Sequence, residues 1–262
     1  EIQRANGHIE SARYVGFAVG PVIGGLLYAI GGLELPMLVN AASFAVVIAV
    51  ALSLRVRREA RPAEEGEEPP RAREGIAYLF RDRTLSLAMV VAFSSLLFMS
   101  AVWVAEVFFV KDVLDMGDFS YGLLLTTWTV AMLMGSLLIA PRIGAAAVAS
   151  AGLAAVVVQG TGLWLPAVWL SFAFMLGCAF LGGLGHGVKN VMFRTLIHVR
   201  VPESLHGRAF AAYNGIRNAA ELGAFAAGGL LVAAIGARGT LAYAGGLSAL
   251  AGLVGLLVLV RM

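Results

Sequence analysis

The run GGLGHGVKN sets His186, Lys189 and Asn190 within about one helical turn of each other. Residues three and four apart share a helix face. An imidazole, an ammonium and a carboxamide would therefore point the same way. Such a trio can bind a polar solute, hold a counter-ion or pass a proton. Two readings compete for Lys189: contact with a substrate or counter-ion, or an internal salt bridge with a structural role only. The run is rich in glycine but follows no predicted strand, so it is not a phosphate-binding loop. A second constellation, Asn214, Arg217, Asn218 and Glu221, falls at i, i+3, i+4 and i+7. It draws a polar stripe along a helix and puts Arg217 and Glu221 at ion-pair spacing. The stripe reads either as an inner gate or cavity wall, or as polar groups snorkelling to the interface. Glu106, in AVWVAEVFFV beside Trp103, is a third candidate. A carboxylate inside a membrane can carry protons. The competing reading is an outer-interface carboxylate near Lys111.

Membrane helices must position these residues. Hydrophobic residues make up 60% of the 262, and charged residues only 13%; mean hydropathy is +0.85. A soluble domain carries about 25% charged residues. A span needs roughly 20 mostly apolar residues. The sequence predicts an all-α integral membrane protein with spans at about 10–31, 36–54, 85–110, 120–140, 144–163, 167–193, 209–235 and 240–260, eight transmembrane helices. A charge at a helix centre costs roughly 2.5–3.5 kcal/mol on insertion scales, so Lys189 and Arg217 should face protein or a watery cavity. Most of the 32 glycines fall in the spans, as membrane helix packing favours. The single Cys178 excludes an intramolecular disulfide.

The first span contains GFAVGPVIGG. Gly16, Gly20 and Gly24 recur every four residues, next to Gly25, and make a groove where another helix backbone can approach. Pro21 at its centre removes a backbone donor and frees the carbonyl of Phe17. The same helix occurs twice. Residues 4–31 align with 208–235: Arg4 meets Arg208, Arg13 meets Arg217, and Gly24-Gly25-Leu26-Leu27 meets Gly228-Gly229-Leu230-Leu231. Gly16 and Gly20 become Ala220 and Ala224, which preserves the small-residue groove. Asn6, Glu10 and Arg13 stand in similar places to the later stripe. A parallel repeat of this kind marks certain transporter folds.

Basic residues set the orientation. Of 19 Lys and Arg, eight fall between Arg55 and Arg83, and Arg142, Arg194, Arg200 and Arg208 lie on the same side. The opposite loops hold Lys111 and Arg238. Both chain ends are therefore expected in the cytoplasm. The pI near 9.3 follows from this asymmetry and does not point to nucleic acid. Trp164 and Trp169 flank Pro166 in an outer turn, where aromatic anchors are expected. Residues 55–83 mix charge runs, prolines and glycine and read as a cytoplasmic linker. It ends in EGIAYLFRD, where Ile76, Leu79 and Phe80 share a face of a predicted short surface helix. The expected division is 1–54, two helices; 55–83, linker; and 84–262, a six-helix half.

GFAVGPVIGG resembles the antiporter signature in the fifth helix of exporters of the major facilitator superfamily. RANG before it, LVNAASF at 38–44, EGIAYLFRD and VPESLHGR at 201–208 resemble the exporter branch that includes enterobactin and multidrug effluxers. The resemblance implies helices 5–12 of the major facilitator fold, with four further spans expected upstream of a chain that opens on EIQRANG. The turn APRIGAAAV departs from the family's charged cluster, keeping only Arg142 and Gly144.

No Walker A run, HExxH, GxSxG or cysteine cluster occurs. The expectation is a non-enzyme without cofactor or metal, driven by an ion gradient or by the solute itself. Its predicted partners are the lipid bilayer, a small-molecule solute and protons, and the full-length protein is expected to be a monomer in the plasma membrane. Secondary active export in exchange for protons is the leading function. An uptake symporter, or a scaffold or sensor that has lost transport, are the alternatives.

Overall fold

In the computed structural model the described residues are 16, 20, 23–24, 26–28, 30–53 and 72–262. Contacts divide the chain into two units, Glu1–Pro70 and Arg71–Met262.

In the first unit, Gly16, Gly20 and Gly24 have helical backbone, and among the described residues nothing stands within 4 Å of where their Cβ atoms would be. Pro21 and Gly25 lie outside the described residues, as do Glu10 and Arg13. Helical backbone runs to Gly31, and Gly32 then turns with φ +61°, its N–H donating to the Tyr28 carbonyl at 2.9 Å. A glycine in this conformation ends a helix without a Cβ clash. Helix α1, Glu34–Ser53, follows and is apolar over most of its length.

The second unit opens with the short helix α2, Ala72–Leu79. Four long helices follow: α3, Arg83–Phe108; α4, Asp118–Met134; α5, Val148–Trp164; and α6, Phe172–Arg200. The chain closes with α7, His206–Thr240, and α8, Gly246–Val260. Single π-helical turns extend α3 at Phe109–Val113, extend α4 at Gly135–Ile139 and join α7 to α8 at Leu241–Gly245. Asp82 caps α3 by accepting the Leu85 N–H at 2.8 Å. Every regular element among the described residues is helical.

Six helices among the described residues are long and apolar enough to cross a membrane. Eight were expected, and the difference has two sources. The 10–31 segment lies largely outside the described residues. The 209–235 and 240–260 segments join into one 58-residue stretch, Glu203–Val260. That stretch is broken at Gly236, where φ is 70° and ψ 171°. Gly236 stands 204 residues after Gly32, the register of the internal repeat. These two are the positive-φ glycines of the described residues. Matching positions of the repeat thus both carry a glycine with positive φ.

The surface helix turns only part of its apolar face to the bundle. Leu79 is fully buried, but Ile76 and Phe80 remain exposed. The packed face is Gly75, Tyr78 and Leu79 instead, because Gly75 sits against the Arg208 backbone carbonyl and leaves no room for a side chain. Glu74 accepts from Arg208 Nη1 at 2.7 Å, and Asp82 from Arg200 Nη1 at 3.2 Å. EGIAYLFRD and VPESLHGR, separate in sequence, therefore form one contact. At the other end Arg238 Nε donates to the Ala167 carbonyl at 2.8 Å, and Lys111 pairs with Asp118 at 2.5 Å.

The core of the second unit falls into two apolar clusters. One gathers Leu85, Met89, Leu153, Phe193 and Ile197; the other gathers Met99, Phe109, Leu124, Trp128, Leu163 and Leu241. The boundary between them is polar.

Candidate functional site

Helix α6 is the centre of the site, and its glycines explain why. Gly187 lies against the Met132 carbonyl of α4. A Cβ on Gly185 would stand 2.7 Å from both the Ala155 carbonyl oxygen and the Gln159 nitrogen of α5. The GGLGHG run is thus a close-packing seam that draws two helix backbones onto α6. It leaves the polar groups of the same turn facing inward.

Four helices contribute to a buried hydrogen-bonded chain at the boundary of the two apolar clusters. Ser248 Oγ of α8 is 3.0 Å from Ser95 Oγ of α3. Gln159 Nε2 of α5 donates to Ser95 Oγ at 3.4 Å. Gln159 Oε1 lies 3.2 Å from His186 Nδ1, and His186 Nε2 lies 3.0 Å from Asn190 Nδ2. All these pairings are satisfied together when His186 carries its proton on Nδ1, donating to Gln159 and accepting from Asn190. Ser95, Gln159 and Ser248 are fully buried. Trp128 of α4 covers the imidazole, with ring centroids 5.8 Å apart.

The chain ends at a small, partly open cavity. His186, Lys189 and Asn190 line it from α6, as the helical spacing predicts, and Arg217 lines it from α7. Ala92, Phe93 and Leu96 of α3 close one side, and Phe193 and Tyr213 supply aromatic wall. Phe93 and Tyr213 contact each other with centroids 5.7 Å apart. Lys189 is only 4% exposed. Among the described residues it makes no ion pair, which sets aside an internal salt bridge within them.

Other expected site residues stand elsewhere. Glu106 is buried, but it is not among the cavity-lining residues. It lies ten residues beyond Leu96 on α3, about 15 Å along the axis. In the stripe, Asn214 and Asn218 are exposed and Glu221 is half-buried. Arg217 keeps its ion-pair spacing from Glu221, but among the described residues no salt bridge joins them. Only Arg217 of the four lines the cavity. Gln159, Ser95, Ser248, Phe93, Phe193, Tyr213 and Trp128 were not expected at the site. The only sequence signal for Ser95, Gln159 and Ser248 is that they are polar residues in largely apolar helices, where an unsatisfied group is costly.

Taken together, these features are a multi-pass membrane helix bundle with a charged cavity between its helices. No curated protein matches the chain. The family model of the Major Facilitator Superfamily matches residues 1–224, a range that includes every cavity-lining residue. The chain therefore belongs to the Major Facilitator Superfamily, a family of membrane transporters.

Proposed function

We propose that this transporter is a secondary active exporter that exchanges a small, drug- or siderophore-like molecule for protons by alternating access. The observation that carries this reading is the cavity, where Lys189, Asn190 and Arg217 meet an aromatic wall between spanning helices. Such concave sites, largely apolar with a few placed polar groups, are the usual form of a small-molecule site. The antiporter-like GFAVGPVIGG supports export and exchange, and its place in the exporter branch rests on that motif and on VPESLHGR. A 58-residue helical stretch would span about 87 Å at 1.5 Å per residue, nearly three times a bilayer core. We read it as two crossings hinged at Gly236. With the 10–31 segment this gives eight spans, and the basic loops put both ends of the chain in the cytoplasm.

Proton flux in vesicles containing the full-length protein tests the reading. Solute-dependent proton movement supports antiport. Solute accumulation with proton entry in the same direction favours uptake symport. A protein that binds solute and moves neither is a sensor or scaffold, a reading that the loss of charge in APRIGAAAV favours.

A further inference from the structure

The cavity carries a charge signature that selects its ligand. Lys189 is 4% exposed, lines the cavity and has no hydrogen-bond or ion-pair partner among the described residues. Arg217, on a different helix, faces the same space, and its charge acts on both Lys189 and His186. No carboxylate is among the lining residues. Two cations thus share a low-dielectric pocket, and nothing described there neutralises them. A cationic solute would add a third like charge. An anionic solute would supply the missing partner, and the planar guanidinium can grip a carboxylate through two parallel hydrogen bonds.

The remaining wall argues for an organic anion over a bare inorganic one. Phe93, Phe193 and Tyr213 present aromatic surface beside the two cations. We propose that the cavity binds an amphipathic organic anion, its carboxylate held between Lys189 and Arg217 and its apolar body against Phe93, Phe193 and Tyr213. The proposal rests on reading the cavity as the solute site of a transporter. His186 and its buried chain have a positioning role. They fix Asn190 at the cavity edge and leave the two cations as the free charged groups.

The test uses purified full-length protein titrated by calorimetry with benzoate and 1-naphthoate. The matching primary amides and arylmethylammonium ions serve as neutral and cationic counterparts. The carboxylates should bind at least about tenfold more tightly than either counterpart, the scale of one charge-assisted hydrogen bond. Lys189→Met and Arg217→Gln should each weaken carboxylate binding by about tenfold or more. Lys189→Arg should keep most of it, and melting temperatures without ligand confirm that each variant is folded. Should Lys189→Met fail to fold, Arg217→Gln and Lys189→Arg carry the comparison. Equal or tighter binding of the ammonium ions overturns the proposal. So does carboxylate binding that survives both charge removals, or an absence of carboxylate binding. The same probes are then followed across proteoliposome membranes. Carboxylates that bind through Lys189 but are never moved leave the anion site standing and refute the transport reading. A cationic or neutral probe that is moved while carboxylates fail to bind refutes the anion and leaves transport intact.

Discussion

His186 Nδ1 and Gln159 Oε1 meet at 3.2 Å across the interface of α5 and α6, both buried. The bond links the cavity edge to Ser95 and Ser248 deep in the bundle. Replacing Gln159 by Leu removes the acceptor of His186 and the donor to Ser95 at once. Leaving a buried polar group unpaired costs about 1–3 kcal/mol. Gln159→Leu should therefore lower the melting temperature of the detergent-solubilised protein and loosen Asn190 at the cavity. A wild-type melting curve would show that the chain of bonds contributes nothing to stability.

The glycine seam makes a sharper contrast. A methyl group at Gly187 would collide with the Met132 carbonyl, whereas nothing stands within 4 Å of a Cβ at Gly177 on the same helix. Overpacking of this kind costs about 1–3 kcal/mol. Glycine to alanine in an open helix position gains up to about 1 kcal/mol. Gly187→Ala should be destabilised and Gly177→Ala should not, as read by thermal unfolding in one detergent. Equal melting temperatures would mean that α4 does not approach α6 so closely.

Lys189 separates stability from function. A buried cation paired with a carboxylate leaves that partner stranded when removed, at about 3–5 kcal/mol. Lys189 has no such partner among the described residues. Lys189→Met should keep folded yield and melting temperature at or above wild type while transport falls at least tenfold. A drop in both, in parallel, would identify a structural ion pair formed with a residue beyond those described.

Where α2 meets α7, charge and shape can be weighed separately. The Arg208–Glu74 pair is exposed, and such pairs contribute about 0–1 kcal/mol. Gly75 touches the Arg208 carbonyl directly. Arg208→Gln should change protease resistance of the 72–79 helix little, while Gly75→Val should expose it to rapid cleavage. Rapid cleavage in Arg208→Gln alone would reverse that ranking.

Much of the cavity was legible because a charge in an apolar helix is conspicuous and the helical period fixes its face. Lys189, His186 and Asn190 share a wall for that reason, and Arg217 joins them. Gln159, Ser95 and Ser248 gave no periodic signal. They stand on three different helices, and only the meeting of four helices makes them a chain. On α2 the side turned to the bundle is set by Gly75, which has no side chain, and Ile76 and Phe80 stay exposed beside it. Glu106, the separate third candidate, is buried on α3 away from the cavity-lining residues. The turn at Gly236 was expected as a loop; the structure has a kink at that glycine, with helical pattern on either side.

The most direct test of coupled transport uses proteoliposomes holding the full-length protein, a trapped pH-sensitive dye and an imposed proton gradient. Adding a solute that binds the cavity should release protons down the gradient, with the rate at sub-saturating solute reduced at least tenfold in Lys189→Met and reduced in Arg217→Ala together with its weaker binding. Proton movement that is unchanged by solute and by both substitutions, in protein shown to be folded and occupied, would contradict coupled exchange through this cavity.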